Sequence, residues 1–311
     1  MKNILLTGAT GFVGSNLARR LIRDGHKVNI LSRSSSDFWR LKDIYKKLNI
    51  HEVDLLEKEK LENIIKEIKP EYIIHTATYG GRPLQKETDK IITSNFLGLM
   101  NLVEACNTIP YKCFINTGSS SEYGPKSEKM KESDICEPIT AYGVSKVASA
   151  LYCNYISREN KNIGTLRLFS PFGDYEEKGR LFPDVILNAL EEKPIYLANP
   201  NSVRDFIYIE DVVELYLKIL KNPADLKGEI YNCGYGEQHS VQYIVNKVIE
   251  ITGSKSEIKY NTKAEREFET ENWTSDISKA KKKFSWELNN SFDEGIKKAV
   301  DWFQNNKNLY K

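Results

Sequence analysis

The chain has 311 residues, with 45 lysines and arginines against 43 aspartates and glutamates, giving a formal net charge of +2. That length allows a well-buried core, in one large domain plus a smaller one. The near balance of charge offers no footprint for nucleic acid or anionic lipid, and no apolar run reaches the length that spans a bilayer.

The opening MKNILLTGAT is too short and too broken by glycine for a signal peptide, and residues 2–7 begin a strand instead. Residues 12–24 have helical spacing, Gly25 closes that helix, and KVNILS is the next strand. HEVDL, EYIIHTA, YKCFINTGS and IGTLRLFS are further strand-like runs, separated by helical stretches at 58–68, 89–106 and 141–157. Such alternation predicts an α/β fold, a doubly wound parallel sheet covered on both faces. Within 89–106, Ile92, Phe96, Leu99, Val103 and Cys106 recur at helical spacing and predict a buried stripe.

Beyond Ser170 the rhythm changes, with Pro171, Gly173, Gly179 and Pro183 breaking the pattern. We therefore expect a dinucleotide-binding domain over 1–169 and a smaller α/β substrate-binding domain over 170–311, its segments free to interleave with the first. The lysines at 279–283 are expected on a solvated helix face. The five cysteines are scattered and lack any CxxC, so neither a disulfide scaffold nor a zinc site is expected, and no other metal site is foreseen. A reducing cytoplasm suits that usage.

TGATGFVG places Gly8, Gly11 and Gly14 between the first strand and the first helix. A dinucleotide pyrophosphate must approach backbone N–H groups at a positive helix end, and side chains at these positions would obstruct it. The second strand ends Ile30–Leu31–Ser32–Arg33, where an NAD-preferring site offers an acid to the ribose. Arg33 could instead bind a 2′-phosphate, which favours NADP(H) over NAD(H), unless it simply points to solvent. Asp54 either accepts a hydrogen bond from adenine or caps the segment beginning at Leu56.

ITAYGVSKVAS sets Tyr142 one helical turn ahead of Lys146. An ammonium about 5 Å from a phenol, at an effective dielectric near 20, favours the phenolate by roughly 3 kcal/mol. A phenol so placed can pass a proton to or from an alcohol. INTGSSSEYG puts Ser119 at the carboxyl end of the fifth strand, where open parallel sheets bind ligands.

Taken in order, TGATGFVG, HTAT, NFLGLMNLVEAC, TGSSSEYG, AYGVSK, LRLFSPFG and RDFIYIEDVV resemble the extended short-chain dehydrogenase/reductases, in their nucleotide-sugar epimerase/dehydratase branch. The resemblance implies a Rossmann domain holding a nicotinamide nucleotide and a C-terminal portion gripping a nucleoside diphosphate sugar. It implies Ser119, Tyr142 and Lys146 as the catalytic trio. It also implies cofactor contacts from Thr10, Phe12, Val13, Ser32, Arg33, Asp54, Leu55, Thr76, Ala77, Thr78 and Phe169, with Asn95 on the cofactor side or anchoring its helix. Tyr79, Arg82, Ser120, Arg180 and Arg204 become candidate sugar-nucleotide contacts.

Departures from the family pattern narrow the choice. Ser120 and Ser121 stand where 4,6-dehydratases carry an acidic pair, so dehydration is disfavoured. The usual Arg-x-x-Asn element is here Arg167-Leu168-Phe169-Ser170. Glu122 resembles reductases of 4-keto-6-deoxy sugars such as the paratose, abequose and rhamnose synthases, unless it faces solvent or pairs with a lysine. The leading expectation is reduction of the C4 ketone of a nucleoside-diphospho-4-keto-6-deoxyhexose in nucleotide-sugar biosynthesis. A 4-epimerase with retained NAD(H) is the alternative, and a non-catalytic dinucleotide sensor a more distant one. Val144, Val147, Leu151 and Tyr155 form a second apolar line on the Tyr142 helix, suited to a homodimer interface or to packing within the chain.

Overall fold

A computed structural model describes residues 1–81, 85–223, 226–260 and 271–310. Its strands are β1 (Asn3–Thr7), β2 (Lys27–Ser32), β3 (Asn49–Glu52), β4 (Tyr72–His75), β5 (Cys113–Ser119), β6 (Ile163–Leu168) and β7 (Ser170–Phe172), then β8 (Ile195–Tyr196), β9 (Val203–Arg204), β10 (Phe206–Tyr208), β11 (Ile230–Cys233), β12 (His239–Ser240) and β13 (Ile258–Lys259). The helices are α1 (Phe12–Arg23), α2 (Lys58–Ile68), α3 (Thr88–Ile92), α4 (Gly98–Asn107), α5 (Ala141–Ser157), α6 (Leu181–Leu190), α7 (Ile209–Lys221), α8 (Val241–Thr252), α9 (Ser278–Phe284) and α10 (Phe292–Asn306).

Seven strands form one parallel sheet in the order β11-β6-β5-β4-β1-β2-β3. Strand side chains alternate between faces, and the core follows. Ile4 and Leu6 of β1 belong to one apolar cluster with Leu17, Ala18 and Leu21 of α1, while Leu5 between them belongs to another with Leu61, Leu99 and Cys153. Both faces are thus buried beneath helices, as the apolar runs require. The order reverses between β1 and β4, so the connections leaving those strands diverge and open a crevice at their carboxyl ends.

Several boundaries depart from the local pattern. The third strand runs 49–52 rather than through HEVDL, because Asp54 Oδ1 accepts the Leu56 N–H at 3.0 Å and turns the chain. IGTLRLFS divides at Phe169, where pairing passes from Cys233 to Asp205 and β7 joins β10. The segment beyond Ser170 also returns a strand to the main sheet, since β11 pairs with β6.

Helix 89–106 is not uniform: Thr93–Leu97 is a π-helical turn between α3 and α4. Its extra residue shifts the buried face, so Ile91 and Asn95 point inward while Ile92 and Phe96 are only half-buried. Leu99, Val103 and Cys106 keep the expected buried positions. On α5, Val144, Leu151 and Tyr155 are 46%, 64% and 58% exposed and do not pack within the chain, while Val147 of the same line is half-buried. No helix among the described residues is long and apolar enough to cross a membrane.

A Cβ on Gly14 would collide with the Gly8 carbonyl, with Gly8 C and Ala9 Cα close behind. Backbone, unlike a flexible side chain, cannot yield. Gly14→Ala is expected to cost at least about 2 kcal/mol, read as a lowered urea midpoint at unchanged slope; an unchanged midpoint would refute this tight approach.

Candidate active site

A cleft of about 1540 Å³ opens at the carboxyl ends of the sheet. That exceeds the ~300–1,000 Å³ of an ordinary small-molecule site and has room for two ligands. Its floor is the turn after β1. Gly8 adopts φ +69° against the backbone of Thr76 and Ala77, and Gly11 donates its N–H to Gly8 O at 2.9 Å. Gly11 is also the N-cap of α1 and offers no side-chain cap. The first N–H groups of this 12-residue helix are thus left for an anion, and a dinucleotide diphosphate fits the cradle.

Thr10, Phe12, Val13 and Gly14 line this part of the cleft, with Ser32, Arg33, Asp54 and Leu55 at one end. Arg33 is exposed, its backbone N–H bonded to Ser36 Oγ at 3.0 Å. Asp54 closes the turn to Leu56 described above while also lining the cleft. Thr76, Ala77, Thr78 and Tyr79 form the wall that follows β4.

Helix α5 supplies the next group. Thr140 Oγ1 accepts the Gly143 N–H at 3.0 Å and sets the helix start. A Cβ on Gly143 would strike Ser121 O, so the helix end lies directly against the turn that follows β5. Tyr142 and Lys146 face the cleft from successive turns, with Lys146 Nζ 5.8 Å from the phenol ring centroid. Lys146 is 3% exposed and donates to Thr117 O at 2.8 Å. Ser119 faces the same space, and its Oγ accepts the Ser121 N–H at 3.2 Å.

Asn95 stands behind the wall rather than in it. Its amide nitrogen donates to Tyr79 O and Ser145 Oγ at 2.8 and 2.9 Å, and its oxygen accepts the Tyr79 N–H at 2.7 Å. The π-helical turn aims this amide inward, tying the loop after β4 to the Tyr142 helix.

Glu122 overturns both alternatives offered for it, solvent and a lysine. It is fully buried and accepts Arg167 Nε at 2.7 Å and the Ser119 N–H at 2.8 Å. Burial pushes its carboxyl above the usual range, against the opposing pull of Arg167 and the Ser119 N–H.

On the far side, Arg180 donates to Gly81 O at 2.6 Å and Arg204 to Val203 O at 2.6 Å, while both line the cleft. Tyr79 Oη donates to Glu87 at 2.8 Å. Phe169 and Ser120 line the cleft between them, and Arg82 lies outside the described residues.

Two cleft residues had no local signal. Arg40, 3% exposed, donates to Thr10 O at 3.1 Å, Tyr175 O at 2.8 Å and Glu177 at 2.8 Å, tying the glycine turn to the segment after β7. Trp273 donates its indole N–H to Ser120 Oγ at 3.0 Å and lies 5.3 Å beneath the Arg204 guanidinium. A tryptophan 153 residues from its serine partner is joined to it only by the fold.

Comparison with known proteins agrees with this geometry. Residues 4–234 match the family model described as the NAD dependent epimerase/dehydratase family. The chain is 28% identical to a UDP-glucuronate 4-epimerase of Thermodesulfobacterium geofontis, covering 99% of this chain and 98% of the relative. It is 28% identical to an uncharacterized UDP-glucose epimerase of Bacillus subtilis, over 96% of each. Among solved structures, a Thermotoga maritima UDP-glucose 4-epimerase with UDP-glucose superposes with a TM-score of 0.88 at 26% identity, covering 98% of this chain and 99% of that one. A Bacillus cereus UDP-glucuronic acid 4-epimerase, with UDP-glucuronic acid and NAD, gives 0.86 at 25% identity, covering 97% and 99%.

Beneath the glycine turn, burial pushes the His75 imidazole down to about 3, and Lys146 adds to the effect; its Nδ1 lies 2.8 Å from Thr7 Oγ1. The unfolded chain binds this proton near pH 6.5 and the folded one does not, so stability falls with pH below that value. Between pH 7 and 4.5 the loss amounts to about 2–3 kcal/mol. His75→Gln should abolish that share of acid sensitivity in urea unfolding at the two pH values; an unchanged difference would refute it.

Proposed function

Because the chain belongs to the NAD dependent epimerase/dehydratase family, within the extended short-chain dehydrogenase/reductases, we propose that it interconverts alcohol and ketone at C4 of a UDP-hexose, working as a 4-epimerase. One observation carries the reading: Tyr142, Lys146 and Ser119 face one cleft beside the glycine turn. The 4-epimerase names of the relatives, and the UDP-sugars and NAD in their structures, support the direction and the ligands.

The Gly8–Gly14 turn and the start of α1 would hold the dinucleotide diphosphate, with Ser32, Arg33, Asp54 and Leu55 toward its adenosine. When bound, the nicotinamide supplies the hydride acceptor and donor. Tyr142 Oη takes the proton from the C4 hydroxyl during oxidation and returns it during reduction. The Lys146 ammonium favours the phenolate form that Tyr142 must hold before it takes that proton, and to which it returns once the proton is given back. Ser119 donates a hydrogen bond to the C4 oxygen, so charge that develops there meets a fixed dipole. Arg180 and Arg204 suit the sugar-nucleotide diphosphate. Epimerisation follows when the keto sugar presents its other face before reduction.

A second reading, one-way reduction of a 4-keto-6-deoxyhexose by NADPH, is favoured by Arg33 at the end of β2. Absorbance at 340 nm separates them. With UDP-glucose or UDP-glucuronic acid we expect a C4 epimer and no net cofactor change. Stoichiometric NADPH loss with a nucleoside-diphospho-4-keto-6-deoxyhexose, without epimer formation, would replace the epimerase reading.

Tyr142→Phe should lower kcat by about 100-fold or more; undiminished turnover would reject the assignment. If Arg33 grips a 2′-phosphate, Arg33→Ala should weaken NADP(H) by roughly 10-fold or more in calorimetry while sparing NAD(H). Equal effects on both would remove that role.

A further inference from the structure

Behind Ser119 sits a charged pair that the chemistry above leaves without a task. Glu122 is fully buried and Arg167 is 3% exposed. They come from adjacent regions of the sheet, since Arg167 lies opposite Gly118 in the parallel β5–β6 register. Arg167 Nε donates to Glu122 Oε2 at 2.7 Å, and Glu122 Oε1 accepts the Ser119 N–H at 2.8 Å.

The arrangement closes on itself. Ser119 Oγ accepts the Ser121 N–H, and Glu122 reaches back to the Ser119 backbone, so the short 120–122 turn is capped in both directions. Arg167 is held in turn by the Tyr123 ring 4.5 Å away and by Cys136 Sγ at 3.1 Å from Nη2, while Nη1 makes no hydrogen bond. A side chain on Gly118 would collide with Glu122 Oε1, so this glycine keeps the carboxylate's place open.

Such a pair is a poor way to stabilise a protein. Burying both charges is expensive, apolar replacements of similar volume are often neutral or stabilising, and here the buried Nη1 has no hydrogen-bond partner. What the pair does provide is direction. Glu122 occupies the Ser119 N–H, and the Ser121 N–H occupies one lone pair of Ser119 Oγ. The hydroxyl proton is then left to donate elsewhere, and accepting a hydrogen bond strengthens it as a donor.

We propose that Glu122 and Arg167 are positioning residues for Ser119, holding its backbone and the 120–122 turn so that its hydroxyl proton is aimed at the C4 oxygen beside Tyr142. The inference rests on the function proposed above for Ser119. Glu122 therefore acts through the serine and touches no substrate itself.

The test pairs two sets of variants with steady-state kinetics of the full chain. Glu122→Leu combined with Arg167→Met removes the pair without leaving a lone buried charge. The double variant should melt close to the parent and bind NAD and UDP within about twofold of it. Its kcat should fall by about 10-fold or more with KM nearly unchanged, the signature of an interaction made in the transition state. Glu122→Gln retains an oxygen for the Ser119 N–H and should recover part of the loss.

The deciding measurement is a cycle with Ser119→Ala. If the pair works through the serine, Ser119→Ala costs much less in the double variant than in the parent. A folded double variant with parental kcat would overturn the proposal, as would an equal Ser119→Ala cost in both backgrounds. Should the double variant fail to fold, the cycle of Glu122→Gln with Ser119→Ala decides in the same way: coupling supports it and additivity overturns it. Tyr142→Phe, run alongside, keeps the two ideas apart, because full turnover in that variant would sink the parent reading whatever Glu122 does.

Discussion

The site is organised around one buried ammonium. Taking Lys146 out of water costs several kcal/mol unless the protein supplies compensating dipoles. The Thr117 carbonyl near the end of β5 is one such dipole, and the Tyr142 ring lies on the same side of the helix. The register of α5 against the end of the sheet is therefore tightly constrained. A slip of one residue would strand the ammonium and carry the phenol out of the cleft. The Thr140 cap and the close passage of Gly143 against Ser121 hold that register.

Around this point the protein spends polar groups that do no chemistry themselves. Asn95 bonds the loop after β4 to the Tyr142 helix through Tyr79 and Ser145. Arg40 bonds the glycine turn to the segment after β7. Trp273 locks Ser120, next to Ser119. In a low-dielectric interior a satisfied network is rigid and a broken one is costly, so these bonds hold the cleft walls at fixed spacing. Precision of that kind suits chemistry in which reacting atoms must be held within a fraction of an ångström.

Much of the scaffold is legible in the sequence. Strand runs such as KVNILS alternate with helical stretches, and the helix over 141–157 has the bounds that its spacing indicates. The errors cluster where neighbours, not local pattern, decide. The π-helical turn is invisible to a 3.6-residue period, because it exists to turn Asn95 toward Tyr79 and Ser145. The break at Phe169 comes from a change of pairing partner, from Cys233 to Asp205. Neither solvent nor a lysine receives Glu122, because its partner Arg167 lies 45 residues away on the next strand, beyond the reach of local pattern.

By itself the sequence determined the doubly wound architecture, the glycine turn at its switch point and the shared helix face of Tyr142 and Lys146. Each of these follows from spacing along the chain and from backbone conformations that only certain residues adopt, which are short-range properties. Tertiary structure alone decided which polar groups are buried and with whom: Glu122 with Arg167, Arg40 with Thr10, Trp273 with Ser120. Desolvation and hydrogen bonding act through space, and the partners in these contacts are separated by 45, 30 and 153 residues of chain.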